Sequence, residues 1–175
     1  LMFERLPERV NPFRLADTGR RLEGRIEVSR LKRLRPSLAA DDGEVLVVLD
    51  FGRNSQGLAT IRGRIETTLA LECQRCMQPM AFPVSDDLSV VVVESDAEAE
   101  LVQEHYDPLV VNDESLMIVD LVEDELMLAL PLAPAHPESQ DCVGRALKEF
   151  DPEDVDEPVE EKDNPFAVLK KLKPN

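Results

Sequence analysis

The sequence predicts an α+β fold: an antiparallel β-sheet with one main packed helix, a Cys-x-x-Cys knuckle at a hairpin tip and a flexible acidic C-terminal linker. Three observations lead there. Several runs between residues 22 and 111 alternate apolar with polar side chains, the two-residue period of a strand with one covered face. One segment, 116–130, repeats its apolar residues at helical spacing and meets Pro131. Beyond residue 150 the chain turns to acids and prolines, a composition that cannot bury enough apolar surface to order itself.

The elements follow in chain order. Asn11 is a plausible N-cap and Pro12 suits a first helical turn, which predicts a short helix over 12–22. Gly24 precedes Arg25-Ile26-Glu27-Val28, which alternates like a strand. Leu31 and Leu34 fit one further helical turn ending before Pro36. Asp41-Asp42-Gly43 signals a turn, and Val45–Phe51 is rich in β-formers. A loop over 52–57 leads to a long strand, 58–71, with Ala59, Ile61, Ile65, Leu69 and Leu71 on one face and a bulge expected at Gly63. Its partner runs from about Ala81 to Val93, so Cys73 and Cys76 fall at the hairpin tip. Residues 95–104 read as an acidic helix or loop, and 109–111 as a short strand. In the main helix Ile118, Leu121, Val122, Leu126, Ala129 and Leu130 form the buried stripe. Glu123 and Asp124 read as an exposed acidic face, and Glu125 as the one partly buried member. Val143–Phe150 suits a last helical turn.

A chain of 175 residues accommodates one domain plus a tail, since domains cluster at about 100–150 residues. We assign 1–150 to the domain, 151–163 to an acidic linker and 164–175 to a short helix or docking segment. In the last, Asn164 can cap, Pro165 suits the first helical position, Phe166, Leu169 and Leu172 make an apolar edge, and Lys170, Lys171 and Lys173 suit a helix C-terminus. It packs on its own domain or docks on a partner. Both readings stand at this point.

Composition narrows the function. Hydrophobic residues make up 43%, enough for a core, but aromatics only 4%, with no Trp. Few rings count against reading single strands by base stacking. No apolar run reaches the roughly 18–20 residues that span a bilayer. The first residues carry charges and Pro7 rather than an apolar stretch, so the expectation is a cytoplasmic chain without a signal peptide. The net charge is −16, yet residues 1–35 hold ten Arg and Lys against five Asp and Glu, which leaves −21 on the remainder. Such a basic segment touches RNA locally, docks on an acidic partner, or is a solvated mixed-charge face.

Cys73-x-x-Cys76 is the most specific chemical feature. Two thiolates at this spacing can share a metal in a knuckle, and zinc takes four such ligands. His136 and Cys142 complete a Cys₃His set, which would hold one structural zinc. A thiol/disulfide redox pair and metal-free thiols are the alternatives; the pair lies between strands rather than at a helix N-terminus, which weakens the redox reading. The sequence has no Gly-rich phosphate loop, no His-Glu-x-x-His and no Gly-x-Ser-x-Gly. His105 stands alone among acids, and the carboxylates of 120–125 have no His or Lys beside them for acid–base work. No catalytic residue, small-molecule substrate or membrane partner is expected.

Several stretches taken together resemble one family. They are Leu71-Glu72-Cys73-Gln74-Arg75-Cys76; Asp120–Leu126 running into Leu128-Ala129-Leu130-Pro131; His136 with Cys142; and Asn164-Pro165-Phe166-Ala167-Val168-Leu169. Asn11-Pro12-Phe13-Arg14 and Leu22-Glu23-Gly24 also fit. In order and spacing they resemble the YceD family, the large ribosomal RNA subunit accumulation proteins of bacteria and plastids. The resemblance covers nearly the whole chain. It implies a non-enzymatic accessory role in synthesis, processing or accumulation of large-subunit (23S) ribosomal RNA. The implied partner is a ribosome-assembly or rRNA-processing protein or RNP. The alternative function is that of an RNA-binding protein acting locally through the basic N-terminal segment, with Arg20, Arg21 and Arg25 as its contacts.

Overall fold

The computed structural model describes residues 4–102, 106–137 and 142. Two short strands, β1 (Glu4–Arg5) and β2 (Arg9–Val10), precede α1 (Pro12–Asp17). The helix starts as the sequence predicts: Pro12 opens it, and the Asn11 side chain accepts the Arg14 N–H at 2.9 Å. It ends earlier than predicted. Gly19 takes a left-handed φ of 57° and donates to the Ala16 carbonyl, while Arg20 N–H reaches back to the Leu15 carbonyl. This pair of bonds is the Schellman stop, which favours glycine at its left-handed position. The residues left over, Arg21–Glu27, form β3.

Leu31 and Leu34 are completely buried, as their spacing suggests, but the backbone that carries them is a pair of 3₁₀ turns, Val28–Arg30 and Arg35–Ser37. Pro36 lies inside the second turn, where its missing N–H is no loss, rather than beyond a helix end. Three long strands follow: β4 (Glu44–Arg53), β5 (Ala59–Glu72) and β6 (Pro79–Val93). Helix α2 (Asp96–Ala99) and strand β7 (Asp107–Val110) come next, then β8 (Leu116–Met117) and α3 (Ile118–Ala129).

The main sheet has the order β1-β3-β4-β5-β6-β7. Its four central strands pair antiparallel, as predicted. Both edges differ: β1 runs parallel to β3, and β7 parallel to β6. A parallel neighbour needs a connection of about a dozen residues, and the 94–106 segment supplies one between β6 and β7. A separate two-stranded ribbon joins β2 to β8.

The β5 register corrects a second expectation. Gly63 lies opposite Leu49 on one side and Leu88 on the other, and the ladders run through it without an inserted residue, so there is no bulge. The glycine is needed because a Cβ there would press into the Val48 carbonyl oxygen and come within 2.7 Å of the Leu49 side chain.

Val45, Val47, Leu49, Ile61, Ile65 and Leu69 point to the covered face of the sheet and are buried to 1% exposure or less. Ile118, Leu121, Val122 and Leu126 of α3 join them in one core. At its C-terminus Leu130 is already extended, one residue before Pro131. Glu123 departs from the predicted exposed face: it is 3% exposed. The helical turn predicted over 143–150, the linker 151–163, the segment 164–175 and His105 lie outside the described residues.

Candidate metal centre

The β5–β6 hairpin is the longest in the molecule, and its tip is a tight turn. Cys73 N–H donates to the Gln78 carbonyl at 2.9 Å, and Met77 N–H to the Cys73 carbonyl at 2.8 Å. Met77 closes the turn in the left-handed region at φ 54°. This curl brings the Arg75 N–H to 3.5 Å from the Cys73 sulfur. The chain leaving α3 then folds against the tip. Gln74 N–H donates to the Pro134 carbonyl at 2.8 Å, and the Arg75 guanidinium donates to the His136 carbonyl.

Both contacts seat His136, whose Nδ1 lies 3.5 Å from the Cys76 sulfur and whose N–H lies 3.5 Å from the Cys73 sulfur. Cys142 arrives with its sulfur 3.6 Å from that of Cys73. The four donor atoms of Cys73, Cys76, His136 and Cys142 all lie within 4.8 Å of one another. Cys73 and Cys142 are buried, and Cys76 and His136 are half-buried. All four residues singled out from the sequence are therefore brought together.

These separations have a definite scale. A tetrahedral zinc with Zn–S about 2.3 Å and Zn–N about 2.0 Å sets its ligand atoms about 3.5–3.8 Å apart. The Cys73–Cys142 S···S and Cys76–His136 S···N distances, 3.6 and 3.5 Å, match those edges, while the set as a whole is bounded at 4.8 Å, a wider spacing than a closed zinc shell. The thiols are also unequal. Burial pushes Cys73 up, but the N–H groups of His136, Arg75 and Cys76 around its sulfur outweigh burial and bring it down to about 5. Burial pushes Cys142 up as well, and the neighbouring Cys73 and Cys76 take it further, to about 11. Cys73 and Cys142, in contact in this way, resist ionising together unless a cation shares their charge.

A second constellation was missed from the sequence. The buried Glu123 carboxylate accepts the Arg33 N–H at 2.6 Å, the Leu34 N–H at 3.1 Å and the Arg33 Nε at 2.9 Å. Arg33 also reaches Asp124 at 2.6 Å and the Asp120 carbonyl at 3.1 Å. These bonds lock α3 to the turn that carries Leu31 and Leu34. The uncapped N–H groups of that turn were the only local signal, and it lies 90 residues from its acceptor.

The basic N-terminal segment becomes a mixed-charge surface. Arg21 pairs with Asp50 and Arg25 with Glu44, both from β3 to β4. Arg30 pairs with Glu8, and Arg35 with Asp41. Neutralised in this way, these arginines offer phosphate little net charge. No helix of the described residues is long and apolar enough to cross a membrane.

Comparison with known proteins places the chain beside others. The family model described as "Large ribosomal RNA subunit accumulation protein YceD" matches residues 61–173, a span that includes all four donors. A relative from Haemophilus influenzae with the name "Large ribosomal RNA subunit accumulation protein YceD" is 33% identical over 172 residues, 97% of this chain and 97% of that protein. No solved structure matches.

Proposed function

This chain belongs to the YceD family, and on that premise we propose that it is a non-catalytic accessory factor in the accumulation of the large ribosomal RNA subunit in the cytoplasm. The observation that carries this reading is the end-to-end similarity to a relative named for that role, covering 97% of both chains. Its partners are then a ribosome-assembly or rRNA-processing protein or RNP. The internal ion pairs of Arg21, Arg25, Arg30 and Arg35 favour contact through protein surface over a broad phosphate-binding face.

Within that role Cys73, Cys76, His136 and Cys142 hold one structural zinc. Four protein donors fill a tetrahedral shell and leave no place for a reacting water, as a catalytic zinc requires. When bound, the ion supplies a clasp between the hairpin tip and the chain beyond α3. Thiol redox chemistry fits less well, because the Cys-x-x-Cys pair lies between two strands rather than at a helix N-terminus that would activate a thiolate.

Depletion of the protein from growing cells tests the role. Mature large-subunit RNA is expected to fall relative to small-subunit RNA, with a matching loss of the large-subunit peak on a gradient. An unchanged ratio after complete depletion would remove the proposal.

A further inference from the structure

We infer that the groove beside the donor cluster is the docking site of the chain's own C-terminal segment, residues 164–172. The groove has a volume of about 520 Å³; Leu38, Leu71, Met127, Leu130, Pro131 and Leu132 give it apolar walls, and Ser37, Glu72 and Gln74 add polar surface. Leu132 is fully exposed, and Leu128 on the neighbouring turn of α3 is 80% exposed. Large apolar side chains gathered at one end of a molecule mark a contact surface.

Two facts select the occupant. First, Cys142 lies against Cys73, so the chain departs from the cluster close to Gln74 and Pro134, which also border the groove. Only residues 143–163 separate that point from Asn164. That tether is short enough to make docking an intramolecular event, favoured by a high effective concentration. Second, Phe166, Leu169 and Leu172 present an apolar edge at helical spacing, and Lys170, Lys171 and Lys173 beside it suit a chain whose remainder is strongly acidic, with Glu72 on the groove rim. Docked, the segment covers the apolar end, and a partner that takes either surface has to displace the other. This contact does not depend on the ribosomal reading.

The test uses the full-length chain with a benzophenone amino acid in place of Leu132, a fully exposed side chain on the groove wall. Ultraviolet crosslinking followed by peptide mass mapping is expected to join position 132 to residues 164–172 of the same chain. Its yield should survive dilution and fall by about tenfold or more in a Phe166→Asp, Leu169→Asp variant, given the burial value of two such side chains. Circular dichroism of that variant checks that the sheet still melts as before, and the same probe at Met127, which also lines the groove and is partly exposed, repeats the reading from a second position. Crosslinks that join only two chains and vanish on dilution would assign the groove to a second copy and overturn the inference. Crosslinks that never include 164–172 would overturn it as well.

Discussion

Glu123 is a carboxylate carried into the interior to receive two backbone N–H groups and one guanidinium N–H. Removing it strands the Arg33 and Leu34 amides without an acceptor. Glu123→Ala is therefore expected to cost about 3–5 kcal/mol of unfolding free energy. Asp124→Ala, on the exposed side of the same arginine, should cost below about 1 kcal/mol. Urea unfolding of the two variants measures the contrast, and equal losses would show that the buried carboxylate is not the lock. Glu125 behaves oppositely. Burial raises its pKa, and Asp86, Asp107 and Asp124 raise it further. The folded state thus holds this proton more tightly than the unfolded chain does, so stability falls as pH rises through the raised value. Glu125→Gln should raise the melting temperature at pH 7, by less than about 1 kcal/mol equivalent because the group is more than half solvated. The gain should vanish once pH drops below the unfolded carboxylate range, about 4.3.

At the scale of elements, β5 is the strand the others are built on, and Gly63 is where it comes closest to its neighbour. Gly63→Ala should cost about 3 kcal/mol, because the obstacle is a backbone carbonyl that cannot swing away. Gly52→Ala, where nothing lies within 4 Å, should stay within about 0.5 kcal/mol. Equal effects in thermal melts would contradict the close-packing explanation. The same elements show what the sequence reveals. The β5–β6 hairpin, the α3 stripe and the Cys73–Cys76 tip were legible because each is a local pattern: alternation, helical spacing and a pair of thiols. The end of α1 was misjudged because Arg20 and Leu22 prolong an acceptable helical pattern past Gly19, whose left-handed conformation decides the matter. The parallel edges were not legible either. Strand direction at an edge depends on the path of its connection, and β7 has no local feature that distinguishes the two directions. Glu123 was hidden for the same reason, since its partners lie in a turn far away in sequence.

At the scale of the molecule, two kinds of tie hold the fold outside its core. Across β3 and β4 they are ion pairs on a solvated face, each worth little singly. At the hairpin tip, the segment after α3 is tied down by Gln74 with Pro134, by Arg75 with His136, and by the sulfurs. A zinc there would contribute far more than those hydrogen bonds and would make the position of Cys142, and of everything after it, depend on metal. The metal content of the intact chain tests this most directly. Native mass spectrometry of protein purified without added metal should find about one zinc per chain, less of it in Cys142→Ser, and a lower melting temperature after chelation. A chain that carries no metal, and melts at the same temperature whether or not a chelator is present, would contradict the closed four-donor site.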